Sequence, residues 1–339
     1  MKPHRKSGSF IDAEDSHMEY IYLALACTLF SVQFIFTKSF SRRASAAPHV
    51  GLWNGVLISA LMVCYLLPLN GFAFEFSGAA LLYGLLYVGC AVTMNLCNIP
   101  AMRLGNMAVV TTYMLIGGMV LPFGYGVLML GEPCPPLKLI AIAVLIAAII
   151  PNVLPKGGKG AAAEKDTGTR SVGKILLFHG LCLILFTFNG SISIVTKAHS
   201  IHADAISSGA FTMLCAVIQL VISALLLVVY ATARRIKGER GAFRSVFWDV
   251  TRESPATGKK LLVLAGFGLG YAVCNGVANI FSQECARIMD ASIQFPMISA
   301  SVIVLTAIFG RIFFGERIDR YSAISLVLSV VGAVLFMVA

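Results

Sequence analysis

Asn275, Asn279 and Gln283 recur at four-residue spacing, which on a helix stacks three amide side chains on one face. Asn95 and Asn98, three apart, share a helical face in the same way. Amides do no covalent chemistry here; they donate and accept hydrogen bonds without carrying charge. Each stands inside a long apolar run, where a polar group facing hydrocarbon is costly, so both stripes are expected to look into the protein. One reading is a neutral hydrogen-bonding wall for a polar solute. The other is glue between helices, since Asn and Gln commonly join spans. The wall is preferred because the stripe recurs. Asn95 and Asn279 are 184 residues apart, and so are Tyr87 and Tyr271, Cys90 and Cys274, Arg103 and Arg287, and Gly131-Glu132 and Gly315-Glu316.

Other polar positions join the set more weakly. Gln33 and Asn189 precede Lys38 and Lys197 in the segments LFSVQFIFTK and FNGSISIVTK, and each Lys is read as snorkelling to the headgroups. Gln294 lies just before Pro296, and Pro122 stands in an equivalent run; prolines break the helical ladder and sometimes mark a hinge or binding site. Tyr87, Tyr113 and Tyr271 are candidates to line or gate a cavity. The expected substrate-binding set is Gln33, Asn95, Asn98, Asn275, Asn279 and Gln294.

No Asp or Glu lies in the middle of an apolar run; Glu284 and Asp290 flank a turn. A carrier of permanent cations needs an intramembrane carboxylate as counter-charge, so a neutral, zwitterionic or anionic solute fits better. Proton coupling through a buried carboxylate has no support either. The chain has no nucleophile–base set, so it is not expected to be an enzyme. His199, His202 and Asp204 are read as loop residues rather than a metal site, and Gly266, Gly268 and Gly270 as helix packing rather than a phosphate loop. No cofactor is implied. The nine cysteines are scattered without a C-x-x-C pair, as small packing residues would be.

The elements that must position these residues follow from composition. Of 339 residues, 58% are hydrophobic and 12% charged, against roughly 45–50% and 25% in a soluble domain. Runs long enough to span a bilayer fall at 20–38, 50–68, 78–99, 106–129, 135–154, 173–196, 206–230, 261–283, 291–314 and 321–338. The expected fold is an all-α polytopic membrane protein whose ten transmembrane helices form two inverted five-helix repeats. The division is a tail at 1–18, a first repeat at 19–154, a linker at 155–172 and a second repeat at 173–339. The tail is mixed in charge with no small-x-small site, so the first run is read as a retained span. A basic stretch, 234–260, carries Phe243, Phe247 and Trp248 and reads as an interfacial helix or a solvated loop.

The formal charge of +10 sits beside spans, as orientation and lipid-headgroup signals do, without the stacking aromatics of a nucleic-acid binder. The implied partners are a small-molecule solute and the surrounding lipids, with a second copy of the chain as a further candidate and no nucleic acid. With ten spans, six of 26 basic residues share a side with the termini, and the positive-inside rule then puts the termini outside.

In this order and spacing the residues resemble the drug/metabolite transporter superfamily, in its ten-span EamA-type branch. The resemblance is carried by LFSVQFIFTK, by its echo ending at Lys197, by the turns Gly131-Glu132 and Gly315-Glu316, and by the final FGERIDRYSAISLVLSVVGAVLF; it covers about 320 residues. Phe30-Ser31 departs from the family's Trp-Gly, and Pro133-Cys134-Pro135-Pro136 from its polar turn. The resemblance implies a multi-pass protein of the cell membrane that moves small metabolites by alternating access, often outward. It implies a central cavity approached by spans one, three, four, six, eight and nine, with the last span of each half peripheral, and it places both termini in the cytoplasm. Gly131-Glu132 and Gly315-Glu316 are expected to build turns rather than touch solute. The rival class is a non-transporting membrane sensor or assembly subunit on the same fold.

Overall fold

The structure, a computed structural model, describes residues 11–45, 47, 49–104, 107–153, 172–239, 241–251, 258–315 and 320–338. The linker expected at 155–172 lies outside them but for Val172, and so does Glu316. The described residues are helical nearly throughout: α1 (Ile11–Arg43), α2 (His49–Leu69), α3 (Gly78–Leu104), α4 (Met107–Leu130), α5 (Pro136–Ala147), α6 (Ile150–Val153), α7 (Val172–Ser200), α8 (Ser208–Ile236), α9 (Ala242–Trp248), α10 (Gly258–Ile288), α11 (Ala291–Phe314) and α12 (Arg320–Val338). Eight of them are long and apolar enough to cross a membrane: α1 to α4, α7, α8, α10 and α11. The protein is therefore an all-α polytopic membrane protein. The apolar stretches of α5 and α12 are shorter, Pro136–Ala147 and Ala323–Phe336.

Local chemistry sets the boundaries. Pro136 opens α5, where a missing N–H costs nothing, and Pro151 sits in the first turn of α6, after the break that ends α5. Ser207 caps α8 by accepting from the amide of Ala210 at 3.4 Å, and Ser77 caps α3 by accepting from that of Ala80 at 3.0 Å. Gly131 and Gly315 end α4 and α11 at φ 67° and 62°, in the left-handed region that favours glycine. Pro122 and Pro296, by contrast, lie inside continuous helices. The basic stretch after α8 forms α9, which buries Ala242 and Val246 and leaves Phe243 and Trp248 exposed.

Helices of the first part of the chain pack against those of the second. α1 lies along α10 and α11, α7 along α3 and α4, α2 against α8, α4 against α11 and α5 against α12. A central cluster of Phe34, Tyr113, Ile116, Met119, Leu185 and Val302 holds them together. Outward faces stay apolar, with Leu85, Leu176, Leu183, Leu225, Val229 and Leu262 exposed, as contact with lipid tails allows. Hydrophobic burial does not drive association in such surroundings, so close backbone approach matters. A Cβ on Gly117 of α4 would fall 2.0 Å from the carbonyl oxygen of Phe186 on α7, and one on Gly190 of α7 would fall 2.5 Å from that of Gly117.

The two ends of the bundle are stitched differently. At the end reached by Arg43, the amide of Ser45 donates to the carbonyl of Val250 at 2.7 Å, and Arg43 and Arg42 cover the rings of Phe267 and Phe314. We call this the basic end. At the opposite end Ser77 Oγ donates to the carbonyl of Asp204 at 2.8 Å, and Glu75 accepts from the Ser207 amide at 2.8 Å and its hydroxyl at 2.9 Å. Arg287 donates to the carbonyl of Ile206 at 2.5 Å, and Glu132 Oε1 accepts from the amide of Ala291 at 3.1 Å.

Two outcomes follow from this packing. Gly117→Ala should separate α4 from α7 and destabilise the detergent-solubilised protein by about 1–3 kcal/mol. Gly89→Ala, whose Cβ would meet open space, should be neutral or slightly stabilising in the same thermal unfolding assay. The second outcome concerns pH. The Ser207 amide and hydroxyl, with a smaller contribution from Arg287, hold the Glu75 carboxyl below its ordinary range. A folded value below the unfolded one means the stabilisation is present above the unfolded pKa, about 4.3, and is lost as pH falls through the folded value. Wild type should therefore unfold at a higher temperature than Glu75→Gln at pH 6–8, and the difference should vanish in acid.

Candidate functional site

Eight helices, α1, α2, α3, α4, α7, α8, α10 and α11, surround a central cavity of about 190 Å³. Of the six residues expected to bind solute, the fold brings five to its wall: Gln33, Asn95, Asn98, Asn275 and Asn279. Helical periodicity is the reason: Asn275 and Asn279 stand one turn apart on α10, and Asn95 and Asn98 on α3, with both faces turned to the same space. Gln294 is not there. It is fully buried, and its Nε2 donates to the carbonyl of Ser282 at 2.5 Å and to its hydroxyl at 3.3 Å, bracing α11 against α10. With Pro296 inside a continuous helix there is no break for Gln294 to line.

The amides form a chain across the middle of the bundle. Tyr87 Oη on α3 donates to Asn279 Oδ1 at 3.2 Å. Asn279 Nδ2 donates to Asn275, to the backbone carbonyl at 2.8 Å and to Oδ1 at 3.2 Å. Asn275 Nδ2 then donates to Gln33 Oε1 on α1 at 2.8 Å. Hydrogen-bonded glue and cavity wall are thus the same residues. Asn189, on α7, turns its Nδ2 to the carbonyl of Met114 on α4 at 2.8 Å and also lines the cavity.

Further lining residues come from α2 and α8, helices not expected at the cavity: Ile58, Met62, Thr212, Cys215 and Gln219. Gln219 had the same signal as the others, a lone amide in an apolar run, but no periodic partner. Gln283 also lines the wall and donates through Nε2 to Thr212 Oγ1 at 2.8 Å. Tyr87 and Tyr271 line it; Tyr113 is buried beside it, its hydroxyl 3.2 Å from His179 Nδ1. Among the described residues, no Asp, Glu, Lys, Arg or His lines the cavity. What the wall can do is hold an uncharged polar molecule by hydrogen bonds. It has no group to donate or take a proton at neutral pH.

A smaller compartment of about 30 Å³ continues from the main cavity toward the basic end, sharing Thr37, Asn95, Asn98 and Tyr271 and ending on Phe40, Met102 and Phe267. Toward the opposite end the wall stops at Thr196, next to Lys197. The structure corrects the snorkelling expectation for that lysine. Lys197 is buried, and its Nζ donates to the carbonyls of Ala286 and Met289 at 2.9 and 2.8 Å. It caps the last turn of α10, where unpaired carbonyls and the negative end of the helix dipole welcome a cation. Lys38 is likewise buried, with its Nζ 4.3 Å from the ring centroid of Phe314. Glu132 does more than build a turn, since its bond to the Ala291 amide places a carboxylate at the start of α11. His199 stacks on Phe211, with ring centroids 3.7 Å apart, and His202 Nδ1 accepts from the Asp204 amide at 3.1 Å.

No family model matches the chain, and no curated relative does. Among solved structures, one described only as "Crystal structure of protein" aligns over 94% of this chain and 95% of its own, at 14% identity and a TM-score of 0.58. At that identity the likeness speaks to the fold alone: this arrangement of helices, over nearly the whole chain, is one that occurs in a solved protein.

Proposed function

We propose that this protein is a secondary carrier of a small organic solute, of the drug/metabolite-transporter type, working by alternating access through the central cavity. The observation that carries the reading is that the cavity wall matches itself when the two parts of the chain are exchanged. α1 contributes Phe30, Gln33, Phe34 and Thr37; α7 contributes Asn189, Ile192, Ser193 and Thr196 at the same spacing. Tyr87, Ala91, Asn95 and Asn98 of α3 are each 184 residues from Tyr271, Asn275, Asn279 and Ser282 of α10. Pairings between helices follow the same exchange, α1 with α10 answering α7 with α3. On this reading α5 with α6, and α12, complete ten crossings at the periphery of two inverted repeats, and the protein sits in the cell membrane. A site between such repeats opens to one side or the other as they rock.

Two cavity positions test the reading, Thr37 toward the basic end and Thr196 toward the opposite one. Each would be replaced by Cys in a chain whose nine native cysteines are removed, and labelled in oriented vesicles with an impermeant maleimide from either side. A carrier predicts that Thr37→Cys reacts from the basic side and Thr196→Cys from the other. The Thr196→Cys rate should rise severalfold when Glu132→Gln weakens the opposite end. If Thr196→Cys stays unreactive even then, the cavity is a one-sided pocket, and a sensor or assembly subunit replaces the carrier.

A further inference from the structure

We propose that Tyr87 with Asn279, and Tyr271 with Asn95, are two alternating bolts of the transport cycle, the first shut in this structure and the second open; this rests on the carrier reading above. The two pairs are related by the 184-residue offset, with tyrosine and asparagine exchanged between α3 and α10. α3 begins at the opposite end, where Ser77 meets Asp204, and α10 finishes there, where Lys197 meets its last carbonyls. The two helices therefore run through the bundle in opposite directions. Tyr87 stands in the first half of α3 and Asn279 in the second half of α10, so this pair meets nearer the opposite end. Tyr271 and Asn95, in the other halves of the same helices, stand nearer the basic end.

Only one of the pairs is bonded. Tyr87 Oη reaches across to Asn279 Oδ1 at 3.2 Å, and Asn279 is buried. Asn95 and Tyr271 are half-buried, and among the described residues neither side chain makes a hydrogen bond. Both border the main cavity and also the compartment of about 30 Å³ that leads from it toward the basic end. The unbonded pair thus flanks the way to the basic end, while the bonded pair ties α3 to α10 on the way to the opposite one. In a carrier of inverted repeats the second access state arises when the repeats exchange conformations. In that state Tyr271 donates to Asn95, and Tyr87 releases Asn279. A neutral hydrogen bond suits this task, since it favours the state that makes it and is weak enough to be given up in each cycle. A buried ion pair in its place would be costly to break. Because each state makes one bolt, the two contributions offset and leave the balance between the states shallow.

The test is maleimide labelling of Thr196→Cys from the opposite side, in the full-length protein carrying Glu132→Gln. Tyr87→Phe removes one hydroxyl and keeps the ring, and it should raise the rate about two- to tenfold, the worth of one neutral hydrogen bond. Tyr271→Phe should lower the rate by a similar factor, and the double variant should return it to within about twofold of the parent. Thr37→Cys, labelled from the basic side, should not speed up with Tyr87→Phe. Thermal unfolding of each Phe variant separates a moved equilibrium from a damaged fold. A rise at both ends with Tyr87→Phe means a loosened bundle and overturns the bolts. So does a change in the same direction with both single variants. If Thr196→Cys reacts in the parent yet ignores both Phe variants, the bolts are overturned and the carrier reading stands. If it reacts in no variant, the carrier reading falls, and the bolts fall with it.

Discussion

Within hydrocarbon no water is at hand to hydrogen-bond a stray polar group, so each one must find a partner inside the protein. That constraint organises the middle of this molecule. The chain from Tyr87 through Asn279 and Asn275 to Gln33 joins α3, α10 and α1, three helices far apart in sequence. A single amide facing lipid would be a liability. Arranged in series, each satisfies its neighbour and turns the remaining polar capacity toward the cavity. The cavity exists because these helices are held by amides and kept from collapsing onto each other by the bulk of Phe30, Phe34 and Phe295.

The same constraint explains the charged residues at the ends. Helix termini carry unpaired carbonyls and amides, and near the membrane those must be met by side chains. Lys197 meets the end of α10, Glu132 the start of α11, and Glu75 the start of α8. Each cap comes from a different segment than the helix it caps, so satisfying the termini also ties neighbouring segments together. At the basic end, cations lie over the rings of Phe267 and Phe314 instead. Caps from side chains hold the opposite end, whereas the basic end combines these cation–ring contacts with the backbone hydrogen bond from Ser45 to Val250.

Much of this was legible in the chain alone. The eight long helices coincide with apolar runs because a span needs length and hydrophobicity and little else. Asn95, Asn98, Asn275 and Asn279 were legible as two faces because periodicity of a helix is a local property. The short apolar stretches of α5 and α12 were harder, since composition reads the same whether a helix crosses completely or stops short.

What the sequence by itself determined is where helices form, which of their faces are polar, and that no charge stands in their middles. Only the tertiary structure decided which polar residues share one cavity and which are spent elsewhere. Gln294 and Gln283 are both amides in apolar helices. One is spent on Ser282 away from the cavity, and the other stands in its wall, braced by Thr212. Lys197 and a snorkelling lysine are likewise indistinguishable until α10 ends beside one of them. The physical reason is that helical spacing fixes direction around one axis, whereas a partner is fixed by the neighbouring helix. That neighbour is chosen by close approaches such as Gly117 against Gly190, tens of residues away in the chain.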